Sequence, residues 1–192
     1  MAIQSYSDLK ASMGKWLKRA DLAATMPDFV MFAEQHFDRK VKTRARRTNF
    51  SVTPSTSTVA LPSDWGRVIS AQYNGHDIGF FPASSDARKI YCGYQIDGDS
   101  LILTVPQLGQ KLSIDYYVVI EPLSDTNPSN WLLEDAPDLY LAGSLFEAFS
   151  YVRDEQAKAF WQAKRDQLIQ DILDDDAESK TPEDQPLVMR AG

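Results

Sequence analysis

The sequence predicts an α+β protein: a four-helix-type bundle of two N-terminal and two C-terminal helices, a small β domain inserted between them, and an extended C-terminal arm. Three observations lead there. Apolar residues recur at three- and four-residue steps at both ends of the 192-residue chain, alternate with period two in the middle, and thin out after about residue 173. Amphipathic helices must bury their stripes, and the economical solution packs the first pair against the second with the strands set apart as a lobe. The expected segments are residues 1–47 and 124–173 for the two halves of the bundle, 48–123 for the β insertion and 174–192 for the arm.

The first helix is expected from Ser7, as cap, to Arg19, with Tyr6, Leu9, Met13, Trp16 and Leu17 on one face. Gly14 interrupts it at a cost of about 1 kcal/mol, tolerable where a neighbouring helix must come close. Thr25-Met26-Pro27-Asp28 opens the second helix: Thr25 can cap, Pro27 needs no amide hydrogen, and Asp28 meets the positive helix end. Phe29, Phe32, Ala33, His36 and Phe37 form its stripe, and it is expected to stop inside the basic run from Arg39 to Arg47.

Between about Thr48 and Leu123 the texture is that of strands, with candidates at Phe50–Val52, Val59–Leu61, Val68–Tyr73, Leu101–Val105 and Leu112–Ile120. Asn74-Gly75 and Asp97-Gly98 supply hairpin dipeptides, and Pro62, Pro82 and Pro106 mark breaks. Helical spacing returns with Asp135 as a cap ahead of Ala136-Pro137-Asp138, and the face is Leu139, Ala142, Leu145, Phe146 and Phe149. A fourth helix, Asp154 to Asp174, turns Ala157, Phe160, Trp161, Leu168, Ile172 and Leu173 inward. Beyond it, Asp174-Asp175-Asp176, Glu178, Glu183 and Asp184 with two prolines leave only Leu187, Val188 and Met189 strongly apolar, too little for a core.

Composition excludes some functions. A net charge of -7 repels a phosphate backbone, so any nucleic-acid contact must be local. One cysteine, Cys92, precludes an intramolecular disulfide framework and a cysteine-ligated metal site; it reads as a small core residue. The opening Met1-Ala2-Ile3-Gln4-Ser5 lacks the basic flank and apolar stretch of a secretory signal, and no run approaches the roughly 18 apolar residues that span a bilayer. The expectation is a protein made in the cytoplasm, with no membrane partner, that stays there or in a particle assembled there.

Catalysis is not expected. His36 and His76, the two histidines, fall in different elements, so a Ser-His-Asp or Cys-His site has no visible frame. His36, among phenylalanines, reads as a satisfied core or interface residue. Asp97 and Asp99 bracket Gly98 as turn residues and lack the further ligands of a calcium site. No phosphate loop, metal spacing or cofactor motif is visible, so no cofactor is expected. The one dense charge feature holds Arg39, Lys40, Lys42, Arg44, Arg46 and Arg47, six cations with no acid. It is open to three readings: a solvated helix end, an interface to acidic neighbours such as another subunit's tail, or a nucleic-acid contact.

A resemblance sharpens this. Tyr6-Ser7-Asp8-Leu9-Lys10 with Trp16-Leu17 and Arg19-Ala20-Asp21-Leu22, then Met26-Pro27-Asp28-Phe29 with Phe32-Ala33-Glu34, then the basic stretch ending at Arg47, come in that order. Leu61-Pro62-Ser63-Asp64-Trp65, Leu101-Ile102-Leu103-Thr104-Val105-Pro106, Ile114-Asp115-Tyr116-Tyr117 and Pro122-Leu123-Ser124-Asp125 follow. Asn130-Trp131-Leu132-Leu133, Pro137-Asp138-Leu139-Tyr140-Leu141 and Asp154-Glu155 close the series. Together they resemble the head-to-tail adaptor proteins of tailed bacteriophages, over about Tyr6 to Trp161.

The resemblance implies a structural virion protein rather than an enzyme: a dodecameric ring under the portal, touching neighbouring adaptor subunits, the portal protein and a tail or nozzle protein, with possible packaged DNA in its channel. It also implies a C-terminal arm that reaches onto the portal, for which Leu187, Val188 and Met189 are the candidate anchors. The alternatives are another tail-tube or nozzle component, a small nucleic-acid-binding module using residues 39–47, or a hydrolase without recognisable motifs.

Overall fold

The computed structural model describes residues 3–82 and 92–178. The chain divides into two units, a helical one from Met1–Arg44 with Ile120–Gly192 and a β one from Ala45–Val119.

In the helical unit, α1 (Tyr6–Leu17) starts where Ser5 accepts the Asp8 amide at 3.2 Å, and it ends at Lys18, whose φ of 51° is left-handed. A 3₁₀ helix at Ala20–Thr25 leads into α2 (Met26–Lys40). The cap is therefore Ser5 rather than Ser7. Thr25 does not cap α2 either; its hydroxyl donates to the Leu22 carbonyl at 2.9 Å. After the β unit the chain returns through α3 (Trp131–Asp135), α4 (Pro137–Val152) and α5 (Glu155–Glu178). Asn130 caps α3 by accepting the Leu133 amide at 2.9 Å.

The core of this unit gathers Leu9, Met13, Phe29, Phe37, Leu132, Leu139, Tyr140, Leu145, Trp161 and Ile169. Gly143 lets α4 lie close to α2: a β-carbon there would come within 2.9 Å of Phe37 Cε1, and closer still to its Cζ. Gly14, by contrast, would meet only Met26 Cε at 3.6 Å, an ordinary contact.

The β unit follows a 3₁₀ turn at Arg44–Arg46. One sheet has the order β1 (Arg47–Val52), β8 (Leu112–Val118), β3 (Trp65–Tyr73), β4 (His76–Asp77), all antiparallel. The other runs β2 (Thr58–Ala60), β7 (Ser100–Thr104), β6 (Gly93–Asp97), β5 (Gly79–Phe80), with β5 parallel to β6. Alternation decides what is buried: Leu112, Ile114 and Tyr116 of β8 face Leu101 and Leu103 of β7 in one shared core.

Asn74 (φ 51°) and Gly75 (φ 79°) join β3 to β4 with both central residues left-handed, as that dipeptide predicts. The other hairpin is shifted by one residue. Asp97 still pairs with Ser100 in the ladder, so Gly98 (φ 56°) and Asp99 are the turn, and Gly takes its first position.

The expected four-helix-type bundle with a small inserted β domain is overturned. Among the described residues the α+β chain has five α-helices and two sheets of four strands each. The fifth helix, α3, has only five residues, too few to show a period, yet Asn130 and the burial of Leu132 and Leu133 hold it. The extended arm also does not begin at residue 174. Helix α5 runs on to Glu178, because Ile172 and Leu173 still pack on the core and Asp176 accepts the Arg44 amide at 2.8 Å.

Candidate interaction surface

Helix α2 organises the helical unit. Two of its acids catch the chain as it returns: Glu34 Oε1 accepts the Leu123 amide at 2.8 Å, and Asp38 Oδ1 accepts the Ile120 amide at 3.1 Å. Glu34 Oε1 also accepts the Tyr140 hydroxyl at 3.1 Å, and Asn130 Nδ2 donates to that hydroxyl oxygen at 2.7 Å. Burial pushes the Glu34 carboxyl above its ordinary range, opposed by the Leu123 and Tyr140 hydrogen bonds. The Tyr140 hydroxyl is likewise pushed up by burial and by Glu34. This network fixes helices and loop.

The basic run is not one patch. Arg39 and Lys40 are exposed on the last turn of α2, Lys42 is half-buried, and Arg44 is exposed beside Asp176, with Nε 3.4 Å from Oδ1. Arg46 is 2 % exposed: its Nε and Nη2 donate to the Val118 carbonyl at 2.9 and 2.6 Å, and it is one of the largest fully buried side chains among the described residues. Arg47 is exposed at the start of β1. The run thus crosses from the helical to the β unit and loses Arg46 to the interior.

A cavity of about 410 Å³ opens between α2 and α5, lined by His36, Lys40, Arg165, Asp166, Ile169, Gln170 and Leu173. Spacing explains the set, since His36 and Lys40 are one turn apart on α2, as are Arg165 and Ile169, then Ile169 and Leu173, on α5. Arg165 is buried between Trp161 and Ile169; its Nε and Nη2 donate to Asp166 Oδ1 at 2.9 and 2.7 Å, and its guanidinium carbon lies 4.3 Å from the Phe146 ring centre. Burial pushes the His36 pKa below its ordinary value, and Arg165, Arg39 and Lys40 push the same way while Asp166 opposes them. His36, expected as a core or interface residue, is half-buried at the cavity and makes no hydrogen bond among the described residues.

An aromatic surface lies in the same unit. Trp16 and Phe160, 56 % and 61 % exposed, each pack edge-on against Trp161 at 5.2 and 5.1 Å. Phe160, expected inside, points out, because the buried line of α5 is Trp161, Arg165 and Ile169.

The remaining candidates are scattered. His76, Asp97 and Asp99 are exposed in the β unit, and Cys92, expected as a core residue, is exposed. Leu187, Val188 and Met189 lie outside the described residues. Among the described residues no group of three or more His, Cys, Asp and Glu is placed to hold a metal, and no helix is long and apolar enough to cross a membrane.

A scan against family models matches the SU10 adaptor protein family over residues 4–190. The chain belongs to the SU10 adaptor protein family. A search of curated proteins returns no match. The SU10 adaptors are phage head-to-tail adaptors, a structural class and not an enzyme class, so this adaptor is a virion component that interacts with portal and tail components. Arg165, the buried charge at the adaptor's cavity, escaped sequence reasoning; the available signal was its place midway between Trp161 and Ile169, at i, i+4 and i+8.

Proposed function

We propose that this adaptor forms a dodecameric ring under the portal and joins it to the tail. The observation that carries this reading is the family match across residues 4–190. A joint of this kind needs repeated contacts rather than a reaction, and a heterologous contact whose rotation closes leaves no unsatisfied ends. The exposed Trp16 and Phe160 supply apolar area suited to such contacts. Arg39, Lys40, Lys42, Arg44 and Arg47 meet acids of a neighbouring subunit, and Arg46 serves the β unit from within.

Residues 179–192 supply a further contact segment, in which Leu187, Val188 and Met189 anchor on the portal. The ring multiplies weak contacts through effective concentration. Assembly is then sequential, with a monomer before the portal is available.

Deleting residues 181–192 tests the anchor. The truncated chain is expected to stay folded by circular dichroism and to lose binding to portal particles; undiminished binding would rule the anchor out. Charge reversal at Arg39 and Arg47 separates the fates of the basic run: weakened ring formation supports subunit contacts, and loss of a steeply salt-dependent affinity for naked DNA supports contact with packaged DNA instead.

A further inference from the structure

The cavity between α2 and α5 holds more hydrogen-bonding capacity than the described chain uses. Arg165 is 6 % exposed and lines the cavity, yet only its Nε and Nη2 are engaged, both with Asp166. Its Nη1 has no hydrogen-bond partner among the described residues, and neither the His36 ring nor the Lys40 ammonium has one. Arg165 is buried, His36 half-buried and Lys40 exposed, and their unused donors converge on one cavity, an arrangement that favours an anionic acceptor there.

The lining also says which anion. Lys40 and Arg165 against Asp166 leave a single excess positive charge, enough for one carboxylate. Ile169 and Leu173 add an apolar wall with nothing to offer a phosphodiester. The net charge of -7 repels a polyanion.

We infer that this cavity receives the side-chain carboxylate of an acidic peptide segment of a partner protein, with a bulky apolar residue beside that carboxylate resting on Ile169 and Leu173. The inference stands on the cavity and holds whether or not the ring reading does.

Binding is coupled to a proton. His36 faces Arg39 and Lys40 from α2, and Arg165 and Asp166 from α5, while Glu147 of α4 interacts with Arg165 and Arg39. Burial and the cations depress its pKa; a carboxylate beside the ring favours the imidazolium and raises it. Proton uptake then accompanies binding, so affinity rises as pH falls.

The test follows the His36 ring proton by NMR in the full chain, assigned with a His76→Gln variant and titrated with capped Leu-Glu-Leu and Leu-Gln-Leu tripeptides. Leu-Glu-Leu is expected to give a saturable shift that tightens at lower pH, and Lys40→Gln to weaken it about tenfold. Arg165→Gln should weaken it further; should that variant fail to fold, the exposed Lys40→Gln decides. No saturable shift, or an equal response to Leu-Gln-Leu, would overturn the inference. A short oligodeoxynucleotide that saturates below the tripeptide concentration would overturn it in favour of nucleic acid.

Discussion

The two units bury their cores in different ways. Among the described residues, the β unit buries apolar side chains and one charge, Arg46, which is bonded to a backbone carbonyl of its own unit. The helical unit buries Glu34, Asn130, Ser144, Thr43 and Arg165 among its apolar residues, and it carries the cavity and the Trp16–Trp161–Phe160 surface. The β unit is thus held together by alternation and needs little else. The helical unit spends stability on polar groups at fixed places, and the side chains able to titrate or to meet a partner are concentrated there.

The largest way to break this contrast is to remove the one buried charge of the β unit. Arg46→Ala leaves the Val118 carbonyl unpaired and a void in place of a large side chain, and should cost about 3 kcal/mol, read as an earlier urea transition of the β unit. If the variant matches the parent chain, Arg46 is not structural. Next comes the close approach of α4 to α2. Gly143→Ala forces Phe37 aside and should destabilise the helical unit by about 1–3 kcal/mol while leaving the β-unit transition in place, as native-state hydrogen exchange would report.

Glu34 sharpens the contrast by its sign. Its folded pKa is raised above the ordinary 4.5, so the folded chain holds more protons than the unfolded one from about pH 4.5 upward, and stability falls as pH rises through the folded pKa. Glu34→Gln keeps acceptors for Leu123 and Tyr140 and should flatten that fall; Glu147, raised by burial in the same sense, leaves a residual slope. Thermal melts from pH 4 to 8 compare the two chains, and an unchanged slope counts against the assignment. The smallest effect is expected at Arg44 and Asp176, where Asp176→Asn should cost under about 1 kcal/mol and fray the end of α5.

How much of this the sequence carried depends on range. Long periodic segments were legible: α1, α2, α4 and α5 lie close to where three- and four-residue spacing places them, and Asn74-Gly75 turns as its chemistry requires. Short or non-local elements were not. Helix α3 rests on one cap, β4 and β5 have two residues each, and β5 pairs in parallel with a strand more than a dozen residues on. The site fared worse, since nothing in a run of six cations distinguishes Arg46, which goes inside, from Arg47, which stays out. Arg165 shows in the sequence only as a cation midway between Trp161 and Ile169, and that it borders a space depends on α2 and α5 coming together.

Electron micrographs of the purified chain mixed with portal particles test the central claim most directly. A ring of extra density on one end of each portal, absent when either component is alone, is the predicted result. Bare portals beside free chain, under conditions where both are folded, would contradict it.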